Sequence, residues 1–347
     1  MDIKHQIIFD LIKEYKADSF ISTSPVNREW LLNNVAIDFS LILAKNNKIH
    51  VFVDERDIAS LKKNNPKIIV HLYKDVNSWL DFCKAQKLHT TLFESNAITY
   101  DQYDIYAKPL KTKLVSINAD DLRIVKTKEE LSKLQKSADI ICKAIEHLKK
   151  WVKVGVSEKE VAKELYKFVI KNGATNVSFP TIVSFGSNSA DIHSSPTDRK
   201  LKRNEIILVD AGCIYEGFCS DITRIWWIGK LSPMLMKMYQ TVLHANKLGI
   251  QSIKANVIGS KIDNICRTYI KKNWNNYDIP HGVGHGVGML IHENPRINKI
   301  YHKPLLENSV VTIEPGIYDP SIGGVRVEDT IVVTRNGAKV LTSKSLK

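Results

Sequence analysis

Two stretches about a hundred residues apart share one pattern: an apolar run ending in an acid, a turn, and a return run carrying a second acid. In the first, Glu205-Ile206-Ile207-Leu208-Val209-Asp210-Ala211-Gly212 reads as a strand, Tyr215-Glu216-Gly217 as a turn, and residues 218–228 as the return. A turn at Tyr215-Glu216 sets Asp210 opposite Asp221, whereas a turn at Glu216-Gly217 makes the acids diagonal neighbours. Side chains alternate with period two, so both registers leave the acids on one face. In the second, Ser309-Val310-Val311-Thr312-Ile313-Glu314 is the strand, Asp319-Pro320-Ser321-Ile322-Gly323 the loop and Gly324-Val325-Arg326-Val327-Glu328 the return. A loop centred on Ser321 sets Glu314 opposite Glu328. Facing carboxylates repel, and burial among Val, Ile and Leu raises the cost. A cation between them removes the objection. A single such hairpin is ordinarily a solvated pair of acids, but two matching ones argue for four converging carboxylates, an oxygen-rich donor set suited to divalent metals.

Between the hairpins, His281-Gly282-Val283-Gly284-His285-Gly286-Val287-Gly288-Met289 alternates strictly, with glycine at every even position. An extended segment of this kind has one bare face, open to another backbone or a peptide, and carries both histidines on the other. The glycines do not fit GxGxxG, and His292-Glu293 does not continue to HExxH because Arg296 stands at the second histidine's place. His5, His50, His71, His89, His147, His244 and His302 are read as structural.

The surrounding pattern suggests two domains. Residues 1–122 alternate helix with strands at 39–43, 48–53, 67–72 and 90–93, an Asn46-Asn47 turn joining the first two. The first ten residues read as an amphipathic helix, and the segment is a small α/β domain without a phosphate loop. From 123 to 347, capping boxes at Thr127-Lys128-Glu129-Glu130 and Ser157-Glu158-Lys159-Glu160 open two helices. A β-rich stretch follows, then helices over about 233–254 and 259–273, then strands again. The domain is therefore α+β, in two related halves.

Composition closes off other classes. The net charge of +13 comes with 40 Lys to 10 Arg, scattered along the chain and without any zinc-finger or RNA-binding motif, so no nucleic-acid partner is expected. No apolar run is long enough for a membrane span, and five cysteines without CxxC spacing indicate reduced thiols in a cytoplasm.

Seven ordered motifs resemble the pita-bread metallopeptidases, which include methionine aminopeptidases, Xaa-Pro aminopeptidases and Xaa-Pro dipeptidases (prolidases). They are Ile192-His193, Val209-Asp210-Ala211-Gly212, Ser220-Asp221-Ile222-Thr223-Arg224, Gly284-His285-Gly286-Val287-Gly288, His292-Glu293-Asn294-Pro295, Ile313-Glu314-Pro315-Gly316-Ile317-Tyr318 and Arg326-Val327-Glu328-Asp329. The resemblance implies a pita-bread catalytic domain over 123–347 behind a creatinase/prolidase-like N-terminal domain over 1–122. It implies two divalent metals, Mn before Co or Zn, with Asp210 on one, His285 and Glu314 on the other, and Asp221 and Glu328 bridging both. The 122 residues before the catalytic unit, with Val53-Asp54-Glu55-Arg56 and with Arg326, resemble the Xaa-Pro branch rather than the methionine aminopeptidases.

In that branch the expected activity is a cytoplasmic, homodimeric aminopeptidase acting on peptides with proline second. A hydroxide is shared by metals about 3.5–4 Å apart. Glu314 relays the proton, and His193 and His292 donate to the scissile carbonyl. Arg326 orients Glu328, and His281 lines the pocket beyond the scissile bond. The alternatives are a prolidase restricted to dipeptides, a methionine aminopeptidase, and, in a different class, a metal-free binding module.

Overall fold

The structure, a computed structural model, describes residues 3–33 and 37–345. The chain divides into two units, Met1–Arg123 and Ile124–Lys347.

In the first unit, the strands expected from apolar runs form as Ser40–Lys45, Lys48–Val53, Ile69–Leu72 and Thr90–Glu94. Asn46 and Asn47, at φ 50° and 57°, make the tight turn expected of them. The N-terminal helix runs Ile3–Glu14; Met1 and Asp2 lie outside the described residues. Two further strands, Ser19–Ser22 and Lys113–Ile117, complete a six-stranded mixed sheet in which Ser19–Ser22 pairs antiparallel with Ser40–Lys45 and parallel with Thr90–Glu94. In both, serine or lysine interrupts or flanks an apolar pair, Phe20-Ile21 and Leu114-Val115, which hides them from a reading based on longer apolar runs. Ile21, Leu41, Leu43, Phe52 and Trp79 form the core on one face.

His50 and His71 lie at the edge of this core, ring nitrogens 3.0 Å apart, with Phe52 and Phe82 packed on His71. Burial, then repulsion from His71 and Lys48, holds the His50 imidazole down to about 4. Burial also lowers His71. An unfolded histidine titrates near 6.5, so below that pH the unfolded chain binds protons that the folded unit refuses. The contribution to stability is complete above about 6.5 and is lost as pH falls through about 4. The melting transition of this unit should therefore move down steadily between pH 7 and 4.5, and His50→Phe should flatten the dependence. Calorimetry across that range checks it.

The second unit follows the order expected: two helices, strands, two helices, strands. Thr127 and Ser157 accept from the backbone N–H groups of Glu130 and Glu160, whose carboxylates return the bond, and so cap Lys128–Trp151 and Glu158–Lys171. Pro233–Ser252 and Gly259–Asn273 are the second pair. Strands Ile182–Phe185, Ile206–Ala211 and Ile222–Trp227 make one antiparallel sheet. Its central strand shows the alternation plainly: Ile207 and Val209 pack with the first helix pair, Ile206 and Leu208 with the second. A five-stranded antiparallel sheet, Glu293–Ile297, Gly284–Gly286, Val310–Ile313, Asp329–Thr334 and Gly337–Val340, forms the other half.

The turn after Asp210 takes the second of the two registers. Tyr215 faces Phe218, and Glu216 and Gly217 turn the chain at φ 47° and 81°. Thr223 therefore stands opposite Asp210 and Asp221 lies diagonal to it. A two-residue hairpin loop favours positive φ at both positions, and glycine adopts it without a Cβ clash. The second hairpin keeps the register expected: Gly316 faces Arg326 and Ile313 faces Asp329. Glu314 and Glu328 fall opposite each other in the break between those ladders.

Candidate active site and metal centre

The hairpin registers, together with cross-links between the halves, bring the acids together. Thr223 Oγ1 donates to Glu328 Oε2 at 2.9 Å, and Thr330 Oγ1 donates to the Asp221 carbonyl at 2.7 Å. Asn246, on the helix below, gives its amide to the carbonyls of Ile313 and Val327 at 2.8 and 3.2 Å. Those carbonyls directly precede Glu314 and Glu328, so the buried amide satisfies the backbone where the ladder is interrupted. Arg224, fully buried, ties the same region to the end of the chain through Asp329 Oδ1 and the carbonyls of Thr342 and Ser345.

His285 comes in on the glycine segment. Only Gly284–Gly286 is a strand, and its bare face is filled by the protein's own chain: a Cβ on Gly284 would sit 2.0 Å from the Thr312 carbonyl oxygen, and one on Gly286 would sit 2.4 Å from that of Asn294. His281 and His285 both line the cleft. The Nδ1–H of His285 donates to the Gly286 carbonyl at 3.1 Å. This leaves Nε2 as a lone pair 3.5 Å from both Asp221 Oδ2 and Glu314 Oε1. Burial, then repulsion from His292, holds this imidazole neutral, down to about 3.

Ligand atoms of Asp221, His285 and Glu328 all lie within 4.8 Å of one another. Burial and the neighbouring carboxylates Asp210 and Glu314 push Asp221 well above its usual range, and burial and Asp221 do the same to Glu328. Burial, eased by Arg326 and reinforced by Asp210, pushes Glu314 up to about 8. Asp210 Oδ1 is buried and accepts no hydrogen bond from any described residue. Neutral imidazole nitrogen, crowded carboxylates and an orphaned acceptor are what divalent cations require. The residues fit the group.

The acids form the floor of a cleft of about 700 Å³ whose lining includes Phe179, Ile192, His193, His281, His292 and Arg326. All nine side chains expected at the site meet there. The ring of His292 lies edge-on to His285, centroids 4.4 Å apart, while His193 is exposed on the loop that follows Asp191.

One expected contact is different. Arg326 does not reach Glu328. Its Nη2 donates to Asp210 Oδ2 at 2.5 Å, its Nη1 to the Tyr318 hydroxyl at 2.9 Å and its Nε to Thr223 Oγ1 at 3.3 Å. The strand ends at Arg326, so shared-face alternation does not carry on to Glu328, and Thr223 takes the orienting role. Tyr318 continues the chain to His281 Nε2 at 2.9 Å. Because His281 Nδ1–H is spent on the Gly282 carbonyl at 2.8 Å, Nε2 accepts and the tyrosine donates.

The sequence assigns no site role to Asn246, to Thr223, which stands only inside a motif, or to Arg296, which only breaks HExxH. Asn246 interrupts the apolar face of Val242, Ala245 and Gly249, and that misplaced polarity was the available signal. Arg296 faces His285 across the ladder and lines the cleft.

A buried cluster of carboxylates and a neutral histidine at the floor of a cleft has the chemistry of a metal centre open to a ligand. The chain belongs to metallopeptidase family M24, which matches residues 132–335, and residues 5–125 match the Creatinase/Prolidase N-terminal domain. Both confirm the resemblance read from the motifs and the pita-bread domain behind an N-terminal one. The chain is 32% identical to a Xaa-Pro dipeptidase of Pyrococcus furiosus over 95% of its own length and 94% of the relative's. The fold is similar to a Xaa-Pro dipeptidase structure from Bacillus anthracis (TM-score 0.92, 30% identity, 98% and 97% of the two chains). It is also similar to an X-Pro aminopeptidase structure from Thermotoga maritima (TM-score 0.86, 27% identity, 99% and 98%). No helix among the described residues is long and apolar enough to cross a membrane.

Proposed function

We propose that the chain is an aminopeptidase releasing the first residue from peptides with proline second. Asp210, Asp221, His285, Glu314 and Glu328 hold two divalent cations, Mn before Co or Zn. The carrying observation is the buried cluster of Asp221, His285 and Glu328, with Glu314 3.5 Å from His285 and the orphaned Asp210 Oδ1 in the same cleft, beside relatives named for Xaa-Pro chemistry. When bound, such ions supply positive charge that polarises a peptide carbonyl and acidifies water. The protein's own groups do the rest. Glu314 takes the proton from the attacking water at a carboxylate oxygen and hands it to the departing proline nitrogen. His193 and His292, which both line the cleft, donate to the scissile carbonyl oxygen as it gains charge. Phe179 and Ile192 give the wall that accepts apolar substrate groups and keeps water out. The catalytic unit is taken as 123–347, and the working form as a cytoplasmic homodimer.

Arg296 favours a second reading, a dipeptidase. No described acid pairs with its guanidinium, which lines the same cleft and suits the terminal carboxylate of a dipeptide. Rates on a Xaa-Pro dipeptide and a Xaa-Pro-Yaa tripeptide decide between the two. An aminopeptidase cleaves the tripeptide at least as well, and Arg296→Met leaves that rate unchanged. In a dipeptidase the tripeptide is refused, and losing a charged hydrogen bond of about 1.5–3 kcal/mol raises the dipeptide KM by roughly 10- to 150-fold. Loss of neither activity on stripping the metal would refute both.

A further inference from the structure

Residues 186–196 leave the sheet after Phe185, and the last five of them, Ile192 to Pro196, all line the cleft. The segment has little of its own to hold it: only Gly186 and Ser189 are buried, so apolar packing does not fix its path. Hydrogen bonds fix it instead. At its base lies Glu158, the first residue of the helix Glu158–Lys171, 1% exposed and with no basic side chain paired to it among the described residues. Its two oxygens divide between the two ends of the segment. Oε1 accepts from the Phe185 N–H at 2.8 Å and the Asn188 side-chain amide at 3.0 Å. Oε2 accepts from the Thr197 N–H at 2.9 Å and the Thr197 hydroxyl at 2.6 Å.

A helix's first turn welcomes an acid, but an exposed one would serve the helix equally well. Burying a carboxylate without a cation is costly and persists where all its lone pairs are used. Here four donors, two from each end of the segment, consume them. A second tie lies on the far side, where Ser189 Oγ donates to the Gly186 carbonyl at 2.6 Å and accepts from the Gly324 N–H at 2.7 Å. Gly324 is two residues from Arg326. The loop is thus held between the helix start and the strand that carries Arg326.

We propose that Glu158 is a positioning residue for peptide hydrolysis, clamping both ends of the 186–196 loop so that His193 is presented to the substrate carbonyl. The proposal rests on the reading of His193 given above. Glu158→Gln turns one acceptor into a donor facing N–H groups, so one end of the loop is released while volume is kept. A displacement of about 1 Å at a substrate-contacting group costs on the order of 100-fold.

The experiment compares the metal-loaded full chain with E158Q, H193A and the double variant, and follows backbone hydrogen exchange. The expected result is faster exchange in residues 186–196 only, unchanged metal content, and a fall in kcat of about 10- to 100-fold. H193A should then cost far less in the E158Q background than in the original chain, because the two act as one unit. Additive losses would show that Glu158 is merely structural, and unchanged exchange would remove the clamp; either overturns the proposal. A slowed E158Q beside a fully active H193A would refute the role given to His193 while upholding the clamp on the loop. Should E158Q fail to fold, Thr197→Val removes the hydroxyl's bond to Glu158 together with the one it accepts from the Arg199 N–H at 3.1 Å, keeps the Thr197 N–H bond to Glu158, and should move exchange and kcat in the same direction by less; no movement in either overturns the proposal.

Discussion

Asp221→Asn should abolish peptidase activity and yet raise the melting temperature of the metal-free protein. Asp221 is buried against Asp210, Glu314 and Glu328. Without a cation these groups repel one another in a poorly solvated space, and neutralising one relieves part of that cost. Each kcal/mol relieved raises the transition of a unit this size by roughly 2–4 °C. With metal present the order reverses. The original chain gains stability from cations that bind only its folded state, while the variant, lacking the central donor, gains little. Turnover should fall by at least about 10³-fold, the equivalent of several kcal/mol of lost charge stabilisation. Melting curves with and without Mn, together with elemental analysis of the purified variant, provide the check. A variant that binds two ions per chain, or an apo form that melts lower than the original, would sink the assignment.

That opposition between stability and function is also why so much of the site was legible. Apolar strands that end in acids violate the rule that buried charges are paired, and a violation repeated a hundred residues apart points to a ligand. Helix starts were equally readable, because Thr127 and Ser157 each have a glutamate three residues on, and the cap needs nothing beyond local sequence. Choices between near-equal local options were not readable. Tyr215-Glu216 and Glu216-Gly217 are both acceptable turns, and only the fold shows that Gly217 takes the second left-handed position. Partners chosen across the fold were hidden as well. Nothing near Asn246 says that it will meet two carbonyls about 70 to 80 residues away in sequence. Nor does the spacing from Arg326 to Glu328 reveal that Asp210, on the other hairpin, is where the guanidinium goes. Alternation predicts a face, not a partner, and it stops where the ladder stops.

Arg326 carries the second large effect. Its guanidinium, 3% exposed, makes three differently directed bonds, to Asp210, Tyr318 and Thr223. Two of those partners lead on to the acids, Asp210 directly and Thr223 through Glu328. The third leads to His281 on the cleft wall. A lysine amine has the charge but not the planar fork, so Arg326→Lys can keep one of these bonds and must drop another. The expected outcome is a folded protein whose metal affinity is weaker by about 10- to 100-fold, the usual range for losing a group that orients a ligand. kcat at saturating metal should fall by a comparable factor, because His281 and Tyr318 lose their anchor. Arg326→Met should be worse in a different way. It leaves Asp210 buried without its cation partner, at about 3–5 kcal/mol, and this loss should shrink when metal is added, since the ion then neutralises the carboxylate. Tyr318→Phe separates the two arms of the network: metal affinity should hold while kcat drops. Metal titrations and melting curves on the three variants distinguish these outcomes, and an Arg326→Lys protein with the original affinity and kcat would show that the arginine only fills space.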